Sequence, residues 1–143
     1  MSVANLHETV LNYKLRRNSL NFELGNLADK KQLATLSRAD VQSAMKREQN
    51  EIRDSFKVIY NGAADLQATY VDYTEIPEFE EEIERIEALY QEQLDEFAAW
   101  EAELQAQITT DSAELEEVNA YIESYQQMES QNIQEDFNFG LNK

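Results

Sequence analysis

A seven-residue apolar rhythm runs through both halves of this chain, on opposite sides of its single proline. Counting in sevens from Val10 gives Arg17, Leu24, Lys31, Arg38, Met45, Ile52, Ile59, Leu66 and Tyr73. A companion column three residues on holds Tyr13, Leu20, Leu27, Ala34 and Val41. Beyond Pro77, counting from Ile83 gives Tyr90, Phe97, Leu104, Asp111, Val118, Tyr125 and Asn132. A helix that is apolar once every two turns needs another helix to cover it, so the pattern demands long paired helices.

Composition agrees with that demand. Of 143 residues only 3 are Gly and 1 is Pro, too few for the turns of a sheet or a loop-rich fold. Ala, Glu, Gln and Leu, all strong helix formers, are abundant instead. The expected fold is all-α: a long antiparallel helical hairpin, coiled-coil-like, in one domain spanning 1–143. Its arms are expected at 3–73 and 77–139, joined by a turn at 74–77. Pro77 is welcome in the first turn of a helix and disfavours helix just before it, and Glu78, Glu80, Glu81 and Glu82 suit the positive end of the following helix. Asn61-Gly62 is the best turn dipeptide, but Ile59, Ala63, Leu66, Tyr70 and Tyr73 keep helical spacing past it.

Two weak points refine the hairpin. Asp111-Ser-Ala-Glu114 has capping-box spacing, and Ser37-Arg-Ala-Asp40 is a fainter version. Folding about residue 75 sets the two opposite each other. Either the arms run straight and Arg38 pairs with Asp111 in a register-setting layer, or both arms break near 37–40 and 109–112 and the hairpin doubles into a four-helix bundle. The straight hairpin is the expected form. The stripe of the second arm, widened by Phe79, Ile86, Trp100, Tyr121 and Met128 and by Leu94, Ile108, Leu115 and Ile122, exceeds a two-stranded seam and points to a homo-oligomer or a helical partner.

Charge divides the chain. Residues 1–57 hold 10 Lys/Arg and 7 Asp/Glu, a net of +3, whereas residues 58–143 hold 2 and 22, a net of −20. Such acidity repels nucleic acid and anionic lipid, so neither is an expected partner, and the acidic half reads as a solvated helix face. No run approaches the ~18 apolar residues that span a bilayer, and no cleavable signal is apparent. A cytoplasmic location is expected, with signal-independent export leaving no trace in such a reading.

Catalytic chemistry finds little support. The absence of cysteine removes disulfides, zinc–thiolate sites and thiol catalysis. His7 is the sole histidine, and Ala4 stands where a Glu-x-x-His metal motif needs its carboxylate. The acidic run at 78–87 lacks the Asp/Asn/Gly loop of a calcium site, and three isolated glycines cannot cradle a phosphate. No cofactor is expected, and enzyme is the least supported class.

Two aromatic groups remain. Tyr60, Tyr70, Tyr73, Ile76 and Phe79 gather at the turn, and Phe137 and Phe139 stand near the C-terminus. Each either closes one end of the core or forms a docking patch. Trp100 lies in the stripe, as core or as an anchor for a partner helix. The expected role is a non-enzymatic scaffold or adaptor acting through helix–helix contacts and self-association. In length and outline the chain resembles the helical-hairpin stalk and escort proteins of flagellar and type III export systems, which would imply a place in an export apparatus. It is also similar in outline to small secreted helical hairpins, although their Trp-x-Gly turn is missing. A third reading is an acidic decoy for a basic protein surface.

Overall fold

The computed structural model describes residues 2–141. It is an all-α helical hairpin in which two long helices pack against each other. Helix α1 spans Val3–Asn61, α2 spans Ala64–Thr69, a 3-10 turn spans Tyr73–Glu75, and α3 spans Pro77–Leu141. No strand occurs among the described residues. Both α1 and α3 run unbroken through 37–40 and 109–112, so neither arm breaks at the expected weak points. The capping-box residues at 111–114 lie inside a continuous helix, because apolar residues before and after them share one face.

The first arm is shorter than the expected 3–73. Helix α1 stops at Asn61, where Gly62 closes back on the Val58 carbonyl and Ala63 turns extended. The Gln67 side-chain amide then donates to the Tyr60 and Asn61 carbonyls at 3.1 and 3.3 Å. Terminal carbonyls of a helix have no partner within it, and Gln67 supplies one from outside. Asp72 caps the 3-10 turn by accepting from the Tyr73 amide at 2.8 Å. Pro77 opens α3 as its spacing predicts. The connection is therefore 62–76 rather than 74–77, and its midpoint is residue 69 rather than 75.

Contacts gather into two units, each built from a stretch of both helices. The first comprises Met1–Lys30 with Glu103–Lys143, and the second comprises Lys31–Ala102. In the first, Leu6, Val10, Leu20 and Leu27 of α1 are buried, as are Leu104, Val118 and Ile122 of α3. Leu20, Val118 and Ile122 form a core cluster with Tyr13 and Leu115 against it. The Tyr13 ring lies 5.3 Å from Tyr121 and stacks 5.8 Å from Tyr125.

In the second unit, Ala34, Ile76, Phe79 and Ile86 are buried. The 3-4 spacing of covered positions in α1 persists through Ile52 and then changes to Phe56 and Tyr60. Two successive four-residue steps rotate the apolar stripe around the helix, so Ile59 faces out at 51% exposure. A similar step from Tyr90 to Leu94 occurs in α3.

Candidate functional site

The residues expected to dock a partner at the turn are mostly packed. Ile76 and Phe79 are buried, and Phe79 meets both Phe56 and Tyr73 edge to face at 5.5 and 5.3 Å. Tyr73 also carries the Lys57 ammonium over its ring at 5.6 Å. The Tyr60 hydroxyl lies 2.9 Å from the Tyr70 carbonyl and 2.8 Å from that of Val71, which share its single proton. These five residues close the end of the second unit. Trp100 is half-buried there too. Phe137 is 65% exposed, whereas the Phe139 side chain falls outside the described residues.

Arg38 and Asp111, expected to share a register-setting layer, belong to different units. Arg38 Nη1 instead meets Glu101 Oε2 at 3.3 Å within the second unit. Asp111 belongs to the first unit, where its charge reaches Arg16. Its Oδ2 is buried and accepts no hydrogen bond, as is Oε1 of Glu101. Within the second unit the early end of α1, with the connection centred on residue 69, sets which positions face each other. Further polar pairs join the two helices within each unit. Arg16 binds Glu114 at 2.7 Å and His7 Nδ1 meets Glu129 at 3.0 Å in the first. The Tyr90 hydroxyl donates to Glu48 at 2.6 Å, and the Gln49 amide to Glu87 at 3.3 Å, in the second.

These polar contacts shift a few protonation equilibria, all in the direction of holding a proton. The hydrogen bond to Glu48 raises the Tyr90 phenol above its ordinary value, helped by burial. Glu117 does the same to Tyr121 from one turn away on α3. The hydrogen bond and charge of Glu114 raise the Arg16 guanidinium. None of these shifts brings a group toward neutrality, where general acid–base work is done.

Among the described residues, no group of three or more His, Asp or Glu side chains converges as a metal site. A groove beside α1 and α3 in the second unit is lined by Glu48, Glu51, Ile52, Ser55, Arg85 and Ile86, an open and largely charged surface. Among the described residues, no helix is long and apolar enough to cross a membrane.

The surface feature that stands out lies on α1, away from α3. In the first unit Leu11, Leu15 and Phe22 are 47, 66 and 74% exposed. At 3.6 residues per turn they fall within about 40° of one another, on the side of the helix opposite Leu6, Tyr13 and Leu20. In the second unit Leu33, Leu36 and Val58 are also exposed. The seven-residue count missed this row because it follows only the strongest column. A spacing of four, then seven, between Leu11, Leu15 and Phe22 carried the signal. No protein-family model, no curated protein and no solved structure matches the chain.

Proposed function

We propose that this protein is a non-enzymatic scaffold or adaptor that works through helix–helix contacts, including self-association. The observation that carries this reading is the exposed apolar row on α1. The buried face of the same helix is already occupied by α3, so Leu11, Leu15 and Phe22 contribute nothing to the hairpin seam. Single exposed apolar residues are ordinary, but a row on one helical face is the recognition pattern by which helices dock. The packed aromatic cluster at the turn supports the same conclusion by removing the alternative docking patch.

A second reading draws support from α3, which holds 19 Asp/Glu and a single Arg, Arg85, among residues 77–141. A surface of that charge attracts basic proteins, in the manner of an acidic decoy. Salt separates the two readings. Association through apolar helix faces survives molar salt, whereas attraction between surface charges is screened within a few ångströms there. Sedimentation of the intact chain across protein concentration, at low and molar salt, tests the first reading directly. Loss of all association at high salt would favour the decoy.

A further inference from the structure

The spacing of the exposed row within the first unit limits what can cover it. Leu11, Leu15, Asn18 and Phe22 follow one another at intervals of four, three and four. That order is the same read in either direction. An antiparallel copy of α1 therefore lays the row upon itself, and we propose that a second copy of this chain docks here, with the two-fold axis between Arg16 and Arg17. The inference rests on the helix–helix reading above and gives it a partner and a face.

In that register Leu11 meets Phe22 of the second copy, and Leu15 meets its Asn18. An isologous pairing of this kind is the usual basis of a two-fold dimer. Leu11–Phe22 pairs stand at both ends, and two symmetry-related Leu15–Asn18 pairs flank the axis between them. The flanking positions are compatible as well. Asn12 faces Asn21, Lys14 faces Ser19, and Glu8 faces Gly25, so none of these flanking positions opposes like charges. A side chain at Gly25 would meet nothing within 4 Å, which leaves room beside the row.

Charge disfavours α3 against α3 as the way two copies meet through the first unit. Between 103 and 141 the chain has nine Asp/Glu and no Lys/Arg. Two such α3 segments repel. Residues 3–30 hold four Lys/Arg and three Asp/Glu, close to neutral. The contact is small: three large side chains from each copy fall short of the ~800 Å² per partner typical of a stable interface. The dimer is accordingly reversible and depends on concentration.

The chain has no cysteine, so introduced thiols report the geometry without background. Chains carrying L15C and N18C are prepared separately, then mixed and oxidised alongside each alone. Faster cross-linking in the mixture is the expected result. Faster cross-linking of L15C with itself would mean a parallel pair and would overturn the proposal. In parallel, F22E is compared with the unaltered chain by sedimentation and circular dichroism. Because Phe22 is exposed, F22E keeps its helicity, and its dimer should weaken at least tenfold. A dimer unaffected by F22E would overturn this face but leave self-association standing. An unaltered chain that stays monomeric at every concentration, as it would if another protein occupied the face, would overturn both.

Discussion

Leu20 and Phe22 stand two residues apart on α1 with opposite fates, and the difference decides what each substitution does. Leu20 is fully buried against Val118 and Ile122, while Phe22 is 74% exposed. Leu20→Ala removes buried methyl groups and leaves a cavity, at a cost of about 2–5 kcal/mol. Phe22→Ala removes more atoms yet falls within about 0.5 kcal/mol of neutral, as exposed positions do. Urea denaturation at a concentration where the chain is monomeric reads both values, and equal losses would place Phe22 in the core.

Tyr90 gives a pH-dependent counterpart. Its hydrogen bond to Glu48 raises the phenol pKa in the folded chain, so folding favours the protonated ring. The resulting stability is complete below the ordinary phenol value of about 10 and is lost as pH rises through the higher folded value. Denaturation midpoints of the unaltered chain should therefore fall more steeply above that pH than those of Tyr90→Phe. Parallel alkaline profiles would mean that the 2.6 Å contact has no energetic weight.

Among the elements, the connection between α1 and α3 sets the register. Gly62, extended Ala63 and the Gln67 cap end α1 sixteen residues before Pro77 starts α3. The consequence is that Arg38 faces Glu101. Reversing Arg38→Glu alone or Glu101→Arg alone should destabilise the hairpin, and the double reversal should recover part of the loss. A partly exposed pair of this kind is worth roughly 0.2–1 kcal/mol in such a cycle. The same cycle on Arg38 and Asp111 should be additive, and coupling there would restore the fold about residue 75.

How far the sequence could be read follows from the same elements. The all-α hairpin was legible because heptad columns, scarce glycine and the lone proline agreed. The covered positions of α3 fall on the counted column from Ile83 to Asn132, including its polar members. The end of α1 was legible only as the Asn61-Gly62 turn dipeptide, a signal outweighed by the helical spacing that Leu66, Tyr70 and Tyr73 keep while the backbone leaves the helix. What stops α1 is a side-chain cap from Gln67, and periodicity carries no information about caps. The docking row was present in the spacing of Leu11, Leu15 and Phe22. Recognising it required knowing which side of α1 the seam had already taken.

For the whole molecule, two properties stand side by side: a net charge of −17 and apolar side chains on the outside of α1. The first discourages close approach of two copies, and the second rewards it. Apolar burial outlasts screening, so added salt should strengthen rather than weaken association by reducing the repulsion between acidic α3 helices. Sedimentation equilibrium of the intact chain over a wide concentration range, at low and molar salt, puts this to the test. The account predicts reversible, concentration-dependent dimers that persist or tighten in molar salt. A monomer at every concentration and salt, or association that vanishes when salt is added, would contradict it.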